Sequence, residues 1–74
     1  MKNRGISMKS VIKILNMNSQ KDSKKIQNIL IHSTGVIASQ TSLIKKEVTV
    51  VYDDLSIKIE KIIELIEDLG YLVI

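Results

Sequence analysis

The run Met17-Asn18-Ser19-Gln20-Lys21-Asp22 puts a thioether, a hydroxyl and a carboxylate into one short stretch. A serine hydroxyl stays protonated near neutral pH, so Asp22 supplies the only negative charge there. One hard carboxylate of this kind holds a hard or borderline cation weakly and does not match a soft ion. The chain has no cysteine, which removes a thiolate metal site, a cysteine nucleophile and a disulfide together. His32 is the only imidazole and lies ten residues beyond Asp22. Along one helix that is ~15 Å, out of reach of the same ion. It reads as a solvated group near a helix C-terminal dipole. Met1 and Met8 are the other thioethers, and either would have to fold back over the loop to serve as a ligand.

Catalytic groups are no better represented. Asp53-Asp54 is a carboxylate pair, but adjacent residues on a strand or turn point apart, and nothing at a suitable spacing completes an acid–base set. The two read as turn residues. A glycine-rich phosphate loop is absent, and the chain is expected not to be an enzyme.

The elements that would position Ser19 and Asp22 follow from periodicity. Seventy-four residues suit one domain, near the size at which a single core only just offsets chain entropy. With Tyr52 and Tyr71 as the only aromatics, that core has to be Ile, Leu and Val. Residues 1–9 show no period and are expected to be a flexible leader to a domain over 10–74. Residues 10–15 alternate, with Ile12 and Ile14 on one face and Val11, Lys13 and Leu15 on the other, as in a strand. Ser19 or Asp22 is positioned to cap a helix reaching about His32, with Ile26, Ile29 and Leu30 at helical spacing. Gly35 can take positive φ where that helix ends. Strands are then expected over 36–43 and 47–52 as a hairpin. Ser56 is a plausible cap for a second helix carrying the stripe Ile59, Ile62, Ile63, Ile66 and Leu69. Gly70 stops it, and 71–74 make a short last strand. The order βαββαβ predicts an α+β, ferredoxin-like two-layer sandwich: a four-stranded antiparallel sheet with both helices on one face.

Taken together, Met17, the loop after it, Ile26 and Leu30, Gly35-Val36, Val48, Val50 and Tyr52, and Gly70-Tyr71 resemble the heavy-metal-associated domain of copper chaperones and metal-pumping P-type ATPases. The likeness covers 10–74. Its hallmark is Met-x-Cys-x-x-Cys, and here Ser19 and Asp22 stand at the two cysteine positions, with Asn16 in place of the usual glycine. The resemblance implies copper or zinc, an inward-packed Met17, and an aromatic ring at Tyr71 beside the loop. Ser23 and Ser33 stand where the family usually has apolar residues. The lost thiols lead to the expectation that no cofactor is bound.

Charge and hydropathy then suggest partners. Residues 1–46 carry +8 and residues 47–74 carry −5. The first helix shows Lys21, Lys24 and Lys25, the second Glu60, Glu64, Glu67 and Asp68, either as ordinary solvated faces or as a polarised surface. With Met17 and Tyr71, the three lysines mark a docking surface for a protein partner, such as an acidic metal-pump domain. Val11, Leu15, Val51, Leu72 and Ile74 are expected on the sheet face away from the helices, an apolar patch suited to self-association or docking unless Ile6 and Met8 cover it. The expected function is a thiol-less, protein-binding or regulatory module linked to metal handling, with weak or partner-assisted metal binding as the alternative. Nucleic-acid binding is disfavoured, because the first strand has no aromatic residue on which a base would stack. No apolar run approaches the ~18 residues of a membrane-crossing helix, and the start lacks a signal-like stretch. No membrane insertion and a cytoplasmic location are expected.

Overall fold

The computed structural model describes residues 7–74. Strand β1 is Ser7–Lys13, helix α1 is Gln20–Ile31, β2 is Val36–Ser42, β3 is Glu47–Asp53 and α2 is Ile59–Asp68. The three strands form an antiparallel sheet in the order β1-β3-β2. Opposing residues share a face, so Ile12 beside Val48 and Ser10 beside Val50 face the helices. That inner layer is almost wholly aliphatic: Ile12, Ile14, Val48 and Val50 pack with Ile26 and Leu30 of α1 and with Ile62 and Ile66 of α2. Ser23, a buried polar residue of this layer, is accommodated because its hydroxyl bonds Thr41 of β2. This pair lets a serine take a position the family usually gives to an apolar residue.

The fourth strand does not form. Residues 71–74 make one isolated antiparallel bridge, Ile14 to Val73, carried by Leu15 N–H to Leu72 O at 2.8 Å and Ile74 N–H to Lys13 O at 3.1 Å. The ladder stops there because a side chain replaces its next rung. Asn16 Oδ1 accepts from Leu72 N–H at 2.8 Å, and Asn16 Nδ2 donates to Gly70 O at 3.4 Å. The amide of Asn16 thus acts as a surrogate peptide group and ends strand pairing at the mouth of the loop.

Other boundaries shift for local reasons. Strand β1 already includes Ser7, three residues ahead of where the alternation suggests, and pairs Ser7 with Asp53 and Met8 with Tyr52. Met8 therefore lies on the helix-facing side of the sheet and cannot cover the opposite face. Met1 and Ile6, with the rest of the expected leader ahead of Ser7, lie outside the described residues. Ser56 does not cap α2, whose N-cap is Lys58 with no side-chain bond. Its hydroxyl donates instead to Asp53 Oδ2 at 3.2 Å, while Leu55 N–H donates to Asp53 Oδ1 at 3.0 Å. Asp53 is the last residue of β3, and its carboxylate holds the turn that follows, which begins at Asp54. Gly35, at φ +101°, is required where α1 turns into β2, because a Cβ there would meet Ile57 Cγ2 at 2.8 Å.

Candidate functional site

The stretch between β1 and α1 is shaped by a cap. Ser19 is the N-cap of α1 with extended backbone, and Asp22 at the third helical position completes a capping box. Asp22 N–H donates to Ser19 Oγ at 3.2 Å, while Asp22 Oδ2 accepts from the N–H groups of Asn18 at 3.0 Å and Ser19 at 3.2 Å. Its other oxygen, Oδ1, accepts from the Tyr71 hydroxyl at 2.7 Å. The positions three residues apart that hold thiols in the family pattern are joined here by hydrogen bonds to each other and to the far end of the chain.

Beneath this network Met17 is fully buried, so its thioether is part of the core. Tyr71 is 7% exposed, with its ring inside and its hydroxyl at the loop. The Tyr71 hydroxyl, followed by the Asn18 N–H, holds the Asp22 carboxyl below its ordinary range against the opposing effect of burial. Burial, followed by the hydrogen bond and charge of Asp22, pushes Tyr71 up to about 12.

Three residues of this site carry no chemical signal in the sequence. Lys46, at φ 56° in the β2–β3 turn, donates from Nζ to Asn18 Oδ1 and to Leu15 O at 3.4 Å. Asn18 is thus held on both sides, and Asn16 ties the loop to Gly70 and Leu72. The available hint for Lys46 is its place in a tight hairpin, since the fold alone brings that turn to the loop. His32 stays apart as the C-cap of α1, with Nδ1 2.8 Å from Asn28 O.

Lys21, Lys24 and Lys25 are exposed on α1, and none is ion-paired among the described residues. The acidic side chains Glu60, Glu64, Glu67 and Asp68 are exposed on α2, where Glu64 pairs with Lys61 at 3.4 Å. On the open sheet face Val11, Leu15, Leu72 and Ile74 are exposed and Val51 is half-buried. Leu15 lies beside Leu72 and Ile74 beside Lys13, while Val51 pairs with Lys9. Lys9 and Lys13 therefore interleave with this patch.

The sheet with two helices on one face, and a shaped loop between its first strand and first helix, define an α+β two-layer domain. The family model of the heavy-metal-associated domain matches residues 11–71, and the chain belongs to that family. No curated protein sequence matches it. Among solved structures, the CopZ metallochaperone superposes with a TM-score of 0.88 at 24% identity, covering 90% of this chain and 100% of that one. A copper binding domain from HMA7, a P-type ATPase, has a TM-score of 0.85 at 27% identity and covers 89% of each chain. Oxidized MerP from Ralstonia metallidurans CH34 has a TM-score of 0.87 at 14% identity, covering 93% of this chain and 96% of that one. At those identities the likeness to CopZ and MerP is one of fold.

These findings correct the expectation that no cofactor belongs to the chain, because membership of this family implies a heavy-metal ion as ligand. The residues at Ser19 and Asp22 do not suit a soft ion by themselves. Both Asp22 oxygens already accept hydrogen bonds, Met17 is sealed in the core, and no group of three His, Cys, Asp or Glu gathers as a site among the described residues. No helix among the described residues is long and apolar enough to cross a membrane.

Proposed function

We propose that this heavy-metal-associated domain is a non-catalytic docking or regulatory module in metal handling, meeting a protein partner through the loop Asn18 to Asp22, which Met17 and Tyr71 support from beneath, and through the lysines of α1. The observation that carries this reading is the Ser19–Asp22–Tyr71 network, which shapes the loop with the chain's own hydrogen bonds at the positions where the family pattern has thiols. A shaped loop loses little freedom on binding, so less of the contact energy is spent on ordering it. Lys21, Lys24 and Lys25 beside it favour an acidic partner and a fast, salt-sensitive encounter. A metal-pump domain with an acidic docking face has that chemistry. The heavy-metal ion that the family implies is then cargo whose soft donors come from the partner, the role that fits a loop with one engaged carboxylate.

The test is a titration of the isotope-labelled chain with a thiol-bearing metal-pump domain, at low and high salt, with and without Cu(I), followed through backbone amides. Saturable shifts at Met17 to Lys25 and Tyr71, weakened by salt, are expected. A partner domain that leaves those amides unmoved under all conditions overturns the reading.

A further inference from the structure

We infer that the groove between α1 and the free edge of β2 is a second binding surface, built for an extended acidic peptide segment that adds to the sheet edge. The groove has a volume of about 860 Å³ and runs along both elements. Its walls include Lys21, Lys24 and Lys25 from the helix, Ile31 at the helix end, and Ile37 and Ala38 from the strand. Among the described residues no acid lines it.

Three observations choose the occupant. Among the described residues strand β2 is bonded to β3 alone in the sheet, so one side of its backbone is unclaimed by them and offers a ladder to an incoming strand. Ala38 to Ser42 keep regular register with β3, while the irregularity between Val36 and Ala38 leaves Ile37 without a partner. A bulge of this kind re-aims a side chain, and Ile37 lines the groove with 54% of its surface exposed.

The second observation is polarity along the groove. The Ser23–Thr41 bond sets the start of α1 beside the end of β2, so the two elements run in opposite directions. One end of the groove is therefore apolar, at Ile31 and Ile37, and the other is basic. Ile31 is 73% exposed, an unfavourable state for an isoleucine unless something covers it.

The third is spacing. Lys21 and Lys25 are one turn apart, ~6 Å along the axis, and alternate residues of a strand are ~6.6 Å apart. A segment with acidic residues at alternate positions and an aliphatic residue toward one end meets both ends of the groove. Antiparallel pairing of β2 with β2 of a second copy would set the basic end of one groove beside the apolar end of the other, and β2 carries no acid to meet the lysines. The lysines thus favour an acidic strand over a second copy.

This inference shares the lysines with the docking reading but does not need the loop, so the two fail separately. The experiment uses the labelled full chain and an acetylated peptide of about six residues, with Asp or Glu alternating with Thr and Leu at one end, made in both sequence directions. One direction is expected to give saturable shifts at Ile37 to Thr41 that leave Asn18 and Ser19 in place. N-methylation of the peptide at one set of alternate residues should abolish binding, and at the other set should preserve it, the signature of strand pairing. Ile37→Asp and Lys24→Glu/Lys25→Glu, each checked for a dispersed spectrum, should each weaken binding by roughly tenfold or more. Equal binding by both N-methylated peptides overturns the inference, as do shifts confined to the loop or no binding in either direction. Groove shifts that grow with protein concentration before peptide is added also overturn it, by assigning the groove to a second copy.

Discussion

The loop before α1 and the groove beside it lie at opposite extremes of hydrogen-bond satisfaction. In the loop, Asp22 accepts from two backbone N–H groups and from Tyr71, and Lys46 holds Asn18. In the groove, three lysines stand without an acid among the described residues, two isoleucines are exposed, and a sheet edge is free. The difference teaches that a loop without thiols need not be slack. Polar side chains shape it, whereas exposed basic and apolar groups gather on the flank of α1.

The contrast can be broken first from below. Met17→Ala removes a fully buried side chain from under the loop and should cost about 2–5 kcal/mol of stability, read as a lower urea midpoint. Ser19→Ala removes one half of the capping box and should cost about 1 kcal/mol in the same measurement. If Ser19→Ala proves as stable as the parent, the cap is not what holds the loop.

Acid and alkali sharpen the same comparison. Asp22 is lowered in the folded chain, so its contribution is complete above its ordinary value of 3.8 and fades as pH falls through the lower folded value. Tyr71 is raised, so its contribution is complete below 10.0 and fades as pH climbs toward about 12. A stability profile against pH should fall at both ends, and Tyr71→Phe should remove the alkaline fall while weakening the acid one. An unchanged profile in that variant would separate the two residues. The smallest effect belongs to the groove: Lys24→Ala and Lys25→Ala should each change stability by no more than about 0.5 kcal/mol, since neither lysine has an ion-pair partner among the described residues. A larger loss in thermal unfolding would mean that these lysines serve the fold.

Much of this architecture is legible in the residues. The alternation of Val48, Val50 and Tyr52 and the isoleucine stripe of α2 each select one face, and burial follows that face. Ser19 and Asp22 are each legible as a candidate cap, and the structure uses both, Ser19 as the N-cap and Asp22 at the third helical position. The fourth strand misleads, since the short 71–74 run looks like its predecessors and nothing local reveals that the Asn16 amide will take its next rung. Lys46 and Asn18 meet across 28 residues, and the groove joins α1 to a bulged edge strand. Contacts of that kind depend on how elements are set side by side, which periodicity along the chain does not encode. The missing thiols led to an expectation of no metal, yet family membership implies one, because a scaffold retains kinship that a two-residue motif does not.

The most direct test of the closed loop is hydrogen exchange at the amides of Asn18 and Ser19 in the metal-free chain, with and without Asp22→Ala. The account predicts exchange at least roughly tenfold slower than in a free peptide, with that protection lost in the variant while the core amides of Val48 and Val50 keep theirs. Free-peptide exchange rates at Asn18 and Ser19 in the parent chain, or protection that survives Asp22→Ala, would contradict it.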